Sequence, residues 1–145
     1  MGYDAGKKIK GVKYYIRVDT LGLLLNVVVH HAGLQDRDGA LLLLDRRTRA
    51  LFPFIQVIFA DGGYQRPATA HAVGHVGQGQ LSIVKRSDPA RGFVVLPKRW
   101  IVERTLAWLS RCRRLVRNVE HRIETAVAFI RLAMIRLMLR RLCRQ

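Results

Sequence analysis

The pattern of apolar and polar positions changes period several times along this chain of 145 residues. Residues 1–11 mix glycines and lysines without periodicity and read as a basic loop. Residues 12–19 partly alternate in polarity, as a half-buried strand does. Thr20-Leu21-Gly22 turns the chain into an almost wholly apolar strand over residues 23–29, so the two strands make a hairpin with one face buried. Asp36 or Asp38 can cap a helix start, and the helix expected over residues 39–49 turns Leu41 to Leu44 inward. After Pro53, the run Phe54-Ile55-Gln56-Val57-Ile58-Phe59-Ala60 is short and rich in β-branched and aromatic residues, which predicts a buried strand. It ends at Asp61, and Gly62-Gly63 lets the backbone turn sharply there. Residues 62–80 hold five glycines together with His71 and His75 and read as a loop or insertion.

Further on, residues 81–85 form a short strand and residues 93–96 a further apolar run. Pro97 suits the first position of a helix over residues 97–117, which Asn118 ends. A last helix covers residues 123–142, where Ile123, Val127, Ile130, Met134 and Leu137 recur at alternating steps of four and three and form one apolar stripe. These elements predict a mixed α/β fold in a single domain over residues 1–145, with residues 118–145 as a basic, amphipathic C-terminal helix.

Composition narrows the function. With 50% hydrophobic residues, global disorder is excluded. Lys and Arg number 26 against 10 Asp and Glu, a formal charge of +16. Such a field attracts polyanions, nucleic acid first and an anionic membrane surface second. The apolar runs fall far short of the roughly 18 residues of a membrane span, and the polar N-terminus carries no signal-peptide pattern. Cys112 and Cys143 are isolated thiols, expected to be reduced in the cytoplasm.

Two carboxylates stand out chemically. Asp61 is expected at the carboxyl end of a strand, where open α/β sheets place their ligands, although a turn aspartate that bonds its own backbone has the same signature. Glu103 is the one acid between Lys98 and Arg117, among Lys98, Arg99, Arg104, Arg111, Arg113, Arg114 and Arg117. It is either an i,i+4 partner of Arg99 or a carboxylate kept there to hold metal. Magnesium takes one or two carboxylates plus phosphate oxygens, which Asp61 and Glu103 could supply. Lys7, Lys8 and Lys10 are candidate phosphate contacts. His71 and His75 have zinc-ligand spacing on a helix, but the glycine-rich stretch argues against a helix and no third ligand is obvious. The last helix could lie on a membrane, yet packing on the sheet accounts for its apolar stripe.

The motifs Gly2-Tyr3-Asp4-Ala5-Gly6-Lys7-Lys8-Ile9-Lys10-Gly11, Val18-Asp19-Thr20-Leu21-Gly22-Leu23-Leu24-Leu25, Gln35-Asp36-Arg37-Asp38-Gly39-Ala40, Ala60-Asp61-Gly62-Gly63-Tyr64 and Trp100-Ile101-Val102-Glu103-Arg104-Thr105 occur in one order. In that order they resemble the catalytic domain of bacterial insertion-sequence transposases of the DDE type, in the insertion-sequence-five group, over almost the whole chain. The resemblance implies an RNase H-like mixed sheet flanked by helices. It also implies a site of two aspartates and a glutamate holding two divalent ions, Mg2+ or Mn2+. Asp61 matches the second aspartate, Glu103 the glutamate and Arg99 its associated arginine. Leu96 stands where the family pattern has a tyrosine, and Ser110, beside Arg111, where a basic residue is common. The family's first aspartate lies on a strand upstream of the Tyr-Asp-Ala-Gly-Lys-Lys loop, so an N-terminally truncated domain lacking that strand is expected. Neither Asp4 nor Asp19 is expected to replace it.

The implied activity is metal-dependent DNA strand cleavage and transfer, and this chain alone is expected to be inactive. The implied partners are DNA, as transposon ends and target, and a second copy or an upstream transposase fragment. The implied setting is the bacterial cytoplasm at the nucleoid, with no membrane. Lys7, Lys8, Lys10, Lys98, Arg99, Arg104 and Arg111 are the expected DNA contacts. The competing reading is a non-catalytic DNA-binding remnant or an inhibitor of a full-length transposase. A basic RNA-binding protein leaves the ordered motifs unexplained. Without the first strand, residues 12–19 are expected either to pair with residues 54–60 or to leave apolar edges that recruit other chains.

Overall fold

A computed structural model of the chain describes residues 2–4, 9–34, 36–76, 79–84, 98–116, 120 and 122–143. The chain divides into two compact units, Met1–Gln35 with Ile101–Gln145, and Asp36–Trp100.

In the first unit, β1 (Gly2–Asp4), β2 (Ile9–Val18) and β3 (Leu24–His31) form an antiparallel sheet in that order. Residues 2–4 and 9–11 are therefore strand where the glycine and lysine content predicted loop; Tyr3 pairs with Lys10 and Asp4 with Ile9. The predicted hairpin is present: Tyr14 faces Val29 and Ile16 faces Val27 across β2 and β3. β1 covers the second edge of β2 only at residues 9–11. Both faces of the hairpin are covered rather than one, since Tyr15 and Arg17, which alternate with the core-facing Tyr14 and Ile16, are also buried.

The long C-terminal helix, α6 (Ile123–Leu142), has the bounds the apolar stripe predicts. Its Ala126, Ile130 and Met134 join Val27 and Val29 of β3 in the core, with Ile123, Val127 and Leu137 packed around them. Full burial of a side chain such as Ile130 or Met134 is worth about 1.5–3 kcal/mol, so this face outweighs the exposed Leu132, Ile135 and Leu139 on the other side. Tyr14 packs against this core, and burial raises the pKa of its phenol.

A single helix over residues 97–117 is replaced by α4 (Arg99–Ser110) and α5 (Arg113–Val116). The Ser110 hydroxyl donates to the Ala107 carbonyl at 2.8 Å, a local bond that competes with the helix ladder. The N–H groups of Arg111 and Cys112 then close tighter, three-residue turns on Trp108 and Leu109. Pro97, Asn118 and the apolar run at 93–96 lie outside the described residues.

In the second unit the helix predicted over residues 39–49 is two shorter ones, α1 (Asp36–Leu41) and α2 (Arg46–Leu51). Asp45 causes the break: its carboxylate accepts from the Thr48 N–H at 2.8 Å and caps α2, as aspartates do at helix starts. Burial raises the Asp45 pKa, but the bonds from Thr48 and the charge of Arg47 outweigh it and hold the carboxyl below its usual value. Leu42 falls in the interruption and is exposed, not turned inward.

The strand β4 (Val57–Asp61) starts later than predicted and is half-exposed rather than buried, with Val57 and Phe59 each 42% exposed. It pairs in parallel with β5 (Gln80–Val84), the predicted strand at 81–85, from Val57 opposite Gln80 to Asp61 opposite Val84. The connection, read from its glycines as a loop, is a short 3-10 turn (Gly62–Tyr64) and a ten-residue helix, α3 (Pro67–Val76). Pro67 sits at the first helical position, where its missing N–H costs nothing, and the alanines 68, 70 and 72 are strong helix formers.

Two glycines near the end of this connection are expected to respond oppositely to alanine. Gly74 lies within α3 with nothing within 4 Å of an added Cβ, so Gly74→Ala should stabilise by about 0.5–1 kcal/mol. Gly79 has φ +83°, and its Cβ would run into the backbone of Gln56. The left-handed conformation alone costs alanine about 1–2 kcal/mol, so Gly79→Ala should destabilise by more than that. Urea unfolding of both variants checks the pair, and shifts of the same sign would contradict this description of the connection.

Candidate active site

The β–α–β order of the second unit sets Asp61 at the carboxyl end of a parallel strand, as the sequence predicts. Its Oδ1 accepts from the Gly63 N–H at 3.0 Å. The turn-aspartate reading is therefore realised, but that bond takes one of about four lone-pair positions on a carboxylate, so the group retains capacity for a cation.

Alternate residues of a strand share a face, so Phe59 lies on the Asp61 side of β4. The ammonium of Lys98 sits 3.6 Å from the Phe59 ring centroid. Lys98 itself has φ 67°, the one positive value among described non-glycine residues. A left-handed lysine costs about 1–2 kcal/mol, and an exposed cation–π contact returns only about 0.5–1 kcal/mol. The residue is held in strain beside the face that carries Asp61.

Glu103 lies on α4. Ile101, Thr105 and Leu109 form the buried face of that helix, and Glu103 is exposed on another, four residues after Arg99. The rotation of α4 is fixed by the turn between β2 and β3. The Thr105 hydroxyl, fully buried, donates to the Gly22 carbonyl at 2.7 Å. Arg104 donates to the Leu21 carbonyl at 2.9 Å. The Trp108 ring takes the guanidinium of Arg104 at 4.9 Å and that of Arg141, from α6, at 4.6 Å. Gly22, at φ +79°, leaves no room for a Cβ against Thr105 and Trp108. The turn is shaped by Asp19, whose Oδ1 accepts from the N–H groups of Leu21 and Leu23 at 2.9 and 2.8 Å. Asp19 thus serves the hairpin.

The family model of the transposase DDE domain matches residues 1–138. The chain belongs to the transposase DDE domain family. It is 30% identical to a protein of Burkholderia cepacia described as a transposase for insertion sequence element IS402, over 84% of this chain. The chain spans 60% of the length of that relative. No solved structure matches it.

Within this transposase domain the predicted DNA contacts fall into distinct environments. Lys98, Arg99 and Arg111 are exposed. Arg104 is half-buried and engaged with the Leu21 carbonyl and Trp108. Lys10 lies on β2, and Lys7 and Lys8 lie outside the described residues. Arg114, counted among the basic helix residues, bonds Glu120 at 2.9 Å and stacks on Phe129. Among the described residues no three His, Cys, Asp or Glu side chains gather into a metal cluster, and no helix is long and apolar enough to cross a membrane.

The residues sequence reasoning missed are Gly22, Thr105 and Trp108. Gly22 and Thr105 stand inside quoted motifs, but nothing in their spacing pairs positions 83 residues apart. Thr105→Val keeps the shape and removes the donor, leaving a buried carbonyl unpaired. It should destabilise by about 1–3 kcal/mol in chemical unfolding, with Thr105→Ser restoring most of the loss. Unchanged stability in Thr105→Val would show that this bond does not fix α4.

Proposed function

We propose that this chain is the catalytic portion of an insertion-sequence transposase, of the insertion-sequence-five group and of RNase H-like architecture, acting on DNA in the bacterial cytoplasm. The observation that carries the reading is membership of the transposase DDE domain family, joined to an aspartate at the carboxyl end of a parallel strand directly before a Gly-Gly-Tyr turn.

Asp61 and Glu103 are the residues proposed to hold Mg2+ or Mn2+. Both are hard oxygen donors of the kind these ions take, and the Asp61 carboxylate keeps lone pairs beyond its bond to Gly63. When bound, the ions would activate the attacking hydroxyl and stabilise the leaving oxygen in phosphoryl transfer. Arg99, on the helix of Glu103, and Lys98, strained beside the Asp61 face, are proposed to receive the phosphates of the DNA. Arg111, Lys7, Lys8 and Lys10 extend that contact. Arg104 is proposed to reach DNA only at the edge of its contact with Trp108. The +16 charge supplies long-range attraction for transposon ends and target, with further copies of the chain assembling on the DNA.

Duplex binding followed by fluorescence anisotropy tests the reading. Affinity should fall by roughly a thousandfold between about 50 and 200 mM salt, as for proteins that neutralise several phosphates. Lys98→Ala should lower the salt slope by about one. Asp61→Ala and Glu103→Ala should bind DNA as the parent does or slightly better, since they remove negative charge. Salt-independent binding, or none, would contradict the proposal.

A further inference from the structure

The two histidines of α3 take part neither in the core nor in the proposed DNA chemistry. The glycine content argued against a helix, and the helix is present; among the described residues no third protein ligand joins the pair. A spacing of four on a helix puts both rings on one face. They are exposed, with ring centroids 6.3 Å apart and planes inclined by 32°. The buried residues of α3 are Thr69 and Val73. The histidines line an open depression on the other side with Ala68 and Ala72, small residues that leave the rings room.

We propose that His71 and His75 form a bidentate site for a transition-metal dication of the Ni2+, Cu2+ or Zn2+ class, with water completing the coordination. Bonds of about 2.0–2.1 Å to one ion bring two imidazole nitrogens to about 3–3.4 Å apart, which rotation of two exposed rings at this separation achieves. The chemistry sets the selectivity. The chain carries a formal +16, and α3 has no acidic residue in its first turn, so general attraction for cations is absent and affinity rests on imidazole coordination. Imidazole suits Cu2+, Ni2+ and Zn2+, with Cu2+ bound most tightly, whereas Mg2+ takes oxygen ligands. The bound ion would tie together two positions one turn apart, across Gly74, the weakest helix former in the interior of α3. Metal at this site therefore stiffens the connection that follows Asp61.

The test is calorimetric titration of the untagged chain with NiCl2, ZnCl2 and MgCl2. One Ni2+ or Zn2+ per chain is expected at His71 and His75, and any heat from Mg2+, which takes oxygen ligands, should be the same in the parent and in His71→Ala and His75→Ala. His71→Ala and His75→Ala should each weaken binding roughly tenfold or more, since disturbing even the support of a ligand has that effect. The melting temperature should rise with Ni2+ in the parent and not in these variants. Both positions are exposed, and the variants should keep their helix by circular dichroism. Three histidines remain as controls. His30 and His31 are neighbours on β3 with ring centroids 6.1 Å apart, and His121 lies outside the described residues. The double variant His30→Ala/His31→Ala and the single variant His121→Ala should bind as the parent does. Absence of Ni2+ binding in the parent, survival of binding in His71→Ala or His75→Ala, or its loss in a control variant would overturn the proposal.

Discussion

One buried hydrogen bond, from the Thr105 hydroxyl to the Gly22 carbonyl, joins the hairpin of the first unit to the helix that carries Glu103. Asp19 shapes the turn by gathering the N–H groups of Leu21 and Leu23, and Gly22 sits there in a left-handed conformation that a side chain would obstruct. Around it the Trp108 ring is held between Arg104 and Arg141. Three segments distant in sequence, the turn, α4 and α6, thereby converge at one point. The orientation of Glu103 follows: with Ile101, Thr105 and Leu109 committed inward, the glutamate faces solvent. The glutamate's exposure is a consequence of packing on the far side of its helix.

The sequence made some elements legible and hid others for identifiable reasons. α6 was readable to the residue because a stripe such as Ile123–Val127–Ile130–Met134 has the helical period and no competing signal. The hairpin was readable because Thr20-Leu21-Gly22 separates a run of partly alternating polarity from an apolar one. α3 was misread because its flanking glycines were counted as loop, while Pro67 and three alanines carried the opposite information. The breaks at Asp45 and Ser110 were missed because a single polar side chain bonding locally, to Thr48 or to Ala107, outweighs the propensity of its neighbours.

The candidate site was legible where its chemistry is local. Asp61 before two glycines announces a strand end by itself, and the parallel pairing with β5 supplies the context. The basic residues were harder to assign, because a count of arginines does not separate structural from available ones. Arg104, Arg114 and Arg141 hold carbonyls, a carboxylate or aromatic rings. Lys98 instead holds a strained backbone and a ring beside Asp61, a juxtaposition visible only in three dimensions. Strain of this kind gathers at functional sites.

The role assigned to the two carboxylates can be measured without DNA. Mn2+ prefers carboxylate oxygens to imidazole and is followed directly by electron paramagnetic resonance. Titration of the chain with MnCl2, beside Asp61→Ala and Glu103→Ala, should show binding in the parent that each substitution weakens roughly tenfold or more. Mn2+ affinity left unchanged by either substitution would contradict the assignment of that carboxylate to the metal.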